Sequence, residues 1–116
     1  MDLRQVGVPE GPRLTGFRGK ALVVDGVARE GAVILTPEAV IDWDGADFAP
    51  AADLDPPPEF ILLGTGAGLD RPDPRLVADY EGRGIGIEVM DTRAAARAWT
   101  LLRTEGRWIS AALKPL

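Results

Sequence analysis

Histidine and cysteine are both missing from these 116 residues, and serine and tyrosine occur once each, as Ser110 and Tyr80. Without them no Ser-His-Asp or Cys-His nucleophile can be assembled within the chain, no disulfide can form, and a zinc site built on imidazole or thiolate is excluded. Lysine is scarce too: Lys20 and Lys114 lie near opposite ends. Any catalysis would have to rest on carboxylates, arginine, threonine or backbone amides. No catalytic set and no metal-ligating set is identified among them, and no cofactor is implied. Long apolar runs are also lacking. No stretch approaches the ~20 residues needed to cross a bilayer, and the opening MDLRQVGVPEGPRL has no apolar middle segment of a secretory signal. The expected compartment is the cytoplasm, with no direct membrane insertion.

What is present is ordinary for a folded protein. Apolar residues make up 46% and charged residues 27%, far from the low-hydropathy, high-charge profile of a disordered chain. The length suits one hydrophobic core and not two. The expected organisation is a flexible lead-in over residues 1–13 and a single globular domain over 14–116. The net charge is -5, and it is uneven: residues 1–70 carry the acidic excess, while residues 71–116 are slightly basic. No basic stripe with interleaved aromatics appears along the chain, so nucleic acid is not an expected partner.

Along the chain, ALVVDGVAREGAVIL places Asp25-Gly26 between β-branched runs, the signal for a two-residue antiparallel hairpin with both central residues at positive φ. TPEAVIDW (residues 36–43) fits either a strand or a helical turn capped by Thr36 and opened by Pro37. The acidic, proline-rich stretch that follows reads as an irregular crossing with one short helix around residues 47–53. From residue 60 the pattern changes. FILLG and IGIEVM (85–90) are apolar runs of the kind covered on both faces. Asp73 and Pro74 open a helix over about 74–82 between them, ended near Gly82 or Gly84. Asp91 or Thr92 caps a second helix, RAAARAWTLLRTE, ended at Gly106, and RWISAAL is the last strand. The β-α-β-α-β order with short links implies parallel neighbours. The fold class is therefore α/β: one three-layer domain with a mixed sheet, an antiparallel N-terminal hairpin and a parallel C-terminal part.

Glycines crowd the end of the first parallel strand as Gly64-Thr65-Gly66-Ala67-Gly68. A dinucleotide loop needs a third glycine at the helix start, where free amides face the pyrophosphate. Leu69 stands there instead, and the chain reaches the helix only through Asp70-Arg71-Pro72-Asp73-Pro74, in which two residues lack an amide hydrogen and the cap is an anion. No Walker-type G-x-x-x-x-G-K-[ST] is present either. The glycines read as a turn from a buried strand toward a helix.

Several of these pieces carry a resemblance. GAVILTPEAVIDW, LLGTG, GIGIEVMDT, Arg97 with LLRTEGR, and AALKP, in that order, resemble a family of small domains of unknown biochemical function that includes a mitochondrial respiratory complex I assembly factor. The resemblance covers about residue 16 to the C-terminus. It implies a three-layer α/β fold, no established catalysis, and protein partners, which for the mitochondrial relative belong to a membrane complex; a homodimer is a further option. One departure stands out. Where the family shows Arg-Thr-Tyr-Asn in its last helix, this chain has Arg97-Ala98-Trp99-Thr100.

The site residues follow from strand alternation and strand ends. Ile85, Ile87 and Val89 share one face of their strand and Gly86, Glu88 and Met90 the other, which places Glu88 in a layer expected to be covered. Arg97 or Arg107 is its expected ion-pair partner, in a structural role. Gly64, Thr65, Gly66, Arg71, Asp91 and Thr92 form the candidate pocket, at the strand ends where open α/β sheets bind ligands. In the last helix Ala95, Ala98, Leu101, Leu102 and Glu105 are read as one face. Arg93, Arg97, Thr100 and Thr104 form the opposite polar stripe, expected to be solvated, with partner contact as the next reading. Trp43 and Trp108 are read as core, and Trp99 as lying between the faces. Two functions fit: a non-enzymatic interaction or assembly module, or a small-ligand or anion binder using the Gly64–Gly66 turn.

Overall fold

A strand precedes the expected hairpin. β1 (Leu14–Arg18) turns at Gly19-Lys20 into β2 (Ala21–Val24), and Asp25-Gly26 then turns β2 into β3 (Val27–Arg29). Asp25 and Gly26 have φ of 51° and 79°, the positive pair that a two-residue hairpin requires. The three strands form an antiparallel sheet in the order β1-β2-β3. The computed structural model describes residues 11–116. Of the expected lead-in, residues 1–10 lie outside the described residues. Arg13 is held by the domain: its N–H donates to Asp25 Oδ1 at 3.0 Å, and its carbonyl accepts from Asp25 N at 2.8 Å.

The run from Ala28 to Leu35 is divided between two sheets. Gly31, at φ 79°, follows β3, and β4 (Val33–Leu35) belongs to the larger sheet. Residues 36–43 resolve as a tight turn and a strand. Thr36 Oγ1 accepts from the amides of Glu38 and Ala39, at 3.2 and 2.9 Å, and β5 (Val40–Asp42) returns antiparallel to β4. Thr36 does cap, but what it caps is a hairpin. α1 (Ala49–Ala52) falls within the expected crossing, where Asp44 Oδ1 accepts from Ala46 N and Asp47 N.

The C-terminal half follows the spacing of its sequence. β6 (Phe60–Gly64) leads to α2 (Pro74–Gly82), whose cap Asp73 accepts from Arg75 N; β7 (Gly86–Met90) leads to α3 (Thr92–Thr104), capped by Asp91; β8 (Ser110–Leu113) completes the sheet. The order is β5-β4-β8-β6-β7, with β6 parallel to both β7 and β8 and β4 antiparallel to β8. The two crossovers leave β6 and β7 in opposite directions across the sheet. Crossovers of one hand that travel in opposite directions must occupy opposite faces. That is the arrangement found: α1 and α2 cover the face presenting Ile34, Ile61, Leu63 and Ala112, while α3 and the three-stranded sheet cover Val33, Leu35, Leu62 and Leu113. Three layers result, with the five-stranded sheet in the middle.

The single serine and the single tyrosine are both structural. Ser110 is fully buried and donates to the Ala51 carbonyl at 2.8 Å, fastening α1 to the sheet. Tyr80 is buried and meets Phe48 edge-on, with ring centroids 5.8 Å apart.

The face of α3 differs from the periodicity reading. Thr92, Ala95, Ala96, Trp99 and Arg103 are the buried positions, Trp99 is 1% exposed, and Leu101 is 62% exposed. The helix turns to bury its indole because an aromatic ring removes far more apolar surface from water than a leucine chosen by count alone. Trp43 is in the core as expected, whereas Trp108 is half-buried, its indole N–H donating to the Pro56 carbonyl at 2.7 Å.

This orientation predicts very unequal costs. Trp99→Ala is expected to lose about 3–5 kcal/mol in urea unfolding, and Leu101→Ala to stay within ~0.5 kcal/mol of the wild type. Equal losses would mean that the helix presents the other face.

Candidate functional site

At the C-terminal ends of β6 and β7 the chain leaves in two directions, to α2 on one face and to α3 on the other. Such divergence opens the crevice in which open α/β sheets hold ligands. Here the protein fills it. Thr92 is fully buried, and its hydroxyl donates to the Lys114 carbonyl and accepts from Gly66 N, both at 2.7 Å. Thr92 N donates to the Gly66 carbonyl at 2.8 Å, and Lys114 N to the Gly64 carbonyl at 3.0 Å. Gly64 is so closely approached that a Cβ would stand 2.9 Å from both Thr92 Oγ1 and Leu113 Cδ2. Gly66 has φ of 102°, and a Cβ there would meet the Pro115 carbonyl at 3.1 Å.

The turn's polar groups are likewise committed internally. Thr65 N donates to the Met90 carbonyl, and the Thr65 hydroxyl donates to the Gly68 carbonyl at 2.6 Å while accepting from Asp70 N at 3.0 Å. Asp91 Oδ1 accepts from Ala94 N at 2.9 Å, which satisfies an orphan amide at the start of α3. The amides of Thr65 and Gly66 therefore have no hydrogen left for an incoming phosphate.

Of the six pocket residues, the structure brings Thr65 and Arg71 to a cavity of about 250 Å³, together with Trp43, Phe48 and Lys114. Gly64, Gly66, Asp91 and Thr92 do not line it. Its charges are mixed, with Asp70 and Asp73 beside Arg71 and Lys114. Among the described residues no group of three or more carboxylates is placed to share a metal ion.

The expected pairing of Glu88 with Arg97 or Arg107 is corrected. Glu88 is exposed, because β7 is the edge strand of its sheet and α3 packs over β6 and β8 instead. Strand alternation gave the face correctly, but an edge strand need not be covered on that face. Arg107 is claimed by Glu59: its Nε and Nη2 both donate to that carboxylate at 3.0 Å, and Trp108 N adds a third donor at 3.2 Å. These bonds hold the Glu59 carboxyl below its ordinary range, the Arg107 hydrogen bond being the largest cause, and raise the guanidinium. Turn amides from Asp47 and Ala46 likewise hold the Asp44 carboxyl low.

A larger opening lies on the other face. Leu14 and Phe17 of β1 face Arg93, Arg97, Thr100 and Leu101 of α3 across a groove of about 540 Å³. The stripe read as solvated surface is one wall of this groove. The other wall was missed because β1 was not assigned; the Gly19-Lys20 pair between two apolar stretches was the available signal. No helix among the described residues is long and apolar enough to cross a membrane.

Comparison with known proteins gives this geometry a context. The model of a family described as "Protein of unknown function (DUF498/DUF598)" matches residues 14–114. An uncharacterised protein of Rhodobacter capsulatus is 33% identical over 90% of this chain and 93% of its own length. NADH dehydrogenase [ubiquinone] 1 alpha subcomplex assembly factor 3 of Bos taurus is 28% identical over 99% of this chain and 67% of its own; the Mus musculus protein of that name is 27% identical, with 66% covered. The chain thus spans about two thirds of those mammalian relatives. A crystal structure from Bordetella parapertussis superposes with a TM-score of 0.83 at 31% identity, covering 92% of this chain and 98% of that one. A solution structure from Bordetella pertussis, described as an Mth938-like domain, gives 0.77 at 26%, covering 99% and 90%.

Two outcomes test the site. Thr92→Val keeps the shape but strands Gly66 N and the Lys114 carbonyl, so it is expected to cost about 1–3 kcal/mol in urea unfolding; an unchanged midpoint would show that the hydroxyl is not needed. For Glu59 the folded carboxyl titrates below its unfolded value, so its stabilisation is present above the unfolded pKa of about 4.3 and is lost as pH falls through the lower folded value. The gap in melting temperature between wild type and Glu59→Gln should therefore be open at pH 7 and close in acid. A gap that widens below pH 4.3 would contradict the sign.

Proposed function

Since the chain belongs to the DUF498 family of proteins of unknown function, we propose that it is a non-enzymatic interaction domain that helps a protein complex assemble. The observation that carries this reading is the filled crevice. At the strand ends where a relative of this fold class would hold a substrate, Thr92 and the Lys114-Pro115 segment occupy the space and use the amides. The likeness to complex I assembly factors supports the same reading. The partner is then another protein, from a membrane complex, with this chain acting from the cytoplasmic side and no cofactor taking part. The small-ligand alternative lacks support from the turn, because the Thr65 and Gly66 amides are already bonded.

Native co-purification with mass identification tests the proposal. The expected outcome is a reproducible protein partner that fractionates with membranes. No reproducible partner in either the membrane or the soluble fraction would overturn it. A thermal-shift screen against nucleotides, phosphate and small carboxylates is expected to be blank; a true ligand at 100 times its Kd would add about 2.7 kcal/mol.

A further inference from the structure

Charge is unevenly distributed along this chain. Residues 42–59 hold Asp42, Asp44, Asp47, Asp53, Asp55 and Glu59 and no cation. Three of these carboxylates are paired with arginines, Asp42 with Arg29, Asp53 with Arg83 and Glu59 with Arg107. The opposite composition meets at the groove between β1 and α3. It is lined by Arg93 and Arg97 of α3 and by no acidic residue. On a chain of net charge -5 this groove is locally cationic. Arg93 stacks over Phe17, its guanidinium carbon 5.3 Å from the ring centroid, and Arg97 is exposed; neither has a carboxylate partner among the described residues.

The groove also has the other properties of a docking site. Leu14, Phe17 and Leu101 give it apolar surface, and Leu101, 62% exposed, stands as an unpartnered anchor. β1 is an edge of its sheet, pairing only with β2 among the described residues, so its outer side can take another strand. Arg93 and Arg97 are four residues apart, about 6 Å along the helix axis. Alternate side chains of an extended chain lie about 7 Å apart. Carboxylates at every second position therefore match the two guanidinium groups, and apolar residues between them face the other way.

We propose that the groove between β1 and α3 binds an extended acidic segment of a partner protein, in which Asp or Glu alternates with apolar residues. The proposal rests on the assembly reading above and names the chemistry of its partner. A second copy of this chain is a poor occupant. Its acidic crossing lies with α1 on the face opposite α3, so groove-to-crossing contact would be head-to-tail and would propagate without closing. A nucleic acid is disfavoured by the net charge and by a groove lined with leucines and a single aromatic ring.

Fluorescence anisotropy with the full chain tests this. The probes are an octapeptide alternating glutamate and valine, its block isomer with the same composition, and a single-stranded DNA octanucleotide. Saturable binding of the alternating peptide is expected, weakened at least about tenfold by Arg93→Glu with Arg97→Glu and by salt. Thr100→Trp, which fills the groove and leaves every charge in place, should weaken it similarly. Equal binding of the block isomer, undiminished binding by both variants, tighter binding of the DNA, or concentration-dependent self-association lost in the variants would each overturn the proposal. The co-purified partner separates this failure from that of the assembly reading. A partner retained in full by both variants sinks the groove alone, and the absence of any partner with the wild type sinks the assembly reading.

Discussion

The buried hydroxyl of Thr92 is the constraint on which the C-terminal end of the sheet depends. A hydroxyl offers one donor and two acceptor sites, and this one uses both functions, giving its proton to the Lys114 carbonyl and taking that of Gly66. Three separate pieces of chain are joined at one atom: the turn after β6, the first residue of α3 and the segment leaving β8. Glycine at 64 follows from the same contact, since the Thr92 side chain occupies the space a Cβ would need. Buried polar groups are costly when unpaired and rigid when satisfied. The junction is therefore a closed piece of the fold, although it lies where related architectures keep an opening.

With that crevice closed, the surfaces open to other molecules lie on the outside of the layers. The mixed sheet places α1, α2 and the acidic crossing on one side and α3 with the three-stranded sheet on the other. Asp42, Asp53 and Glu59 are engaged by arginines, and Asp44 and Asp47 by turn amides. Exposed pairs of this kind contribute little stability each, whereas Arg93 and Arg97 line the groove on the far face with no carboxylate partner among the described residues. Electrostatic complementarity of that sort chiefly sets which partner is accepted and how fast it arrives.

Glu59 has a different part. By taking Nε and Nη2 of Arg107 and the amide of Trp108, it ties the end of the proline run to the approach of β8. The indole of Trp108 bonds the Pro56 carbonyl in the same region. A stretch whose prolines cannot donate to any ladder is thereby positioned by side chains.

Local chemistry was enough to read much of the fold. Asp25-Gly26 dictates its hairpin through positive φ, Asp73-Pro74 and Asp91 start their helices by offering carboxylates to free amides, and FILLG announces a strand covered on both faces, whereas GIEVM is a strand left open on one. The spacing of the glycines, with Leu69 in place of a third, is likewise unsuited to a phosphate loop. Tertiary structure decided the rest, because those questions depend on which neighbours arrive from afar. Glu88 is solvated since β7 happens to be an edge; Arg107 chooses a glutamate 48 residues away; α3 rotates to bury Trp99 and not Leu101. The groove exists only because β1 comes to lie beside α3, a long-range meeting that no periodicity within either segment encodes.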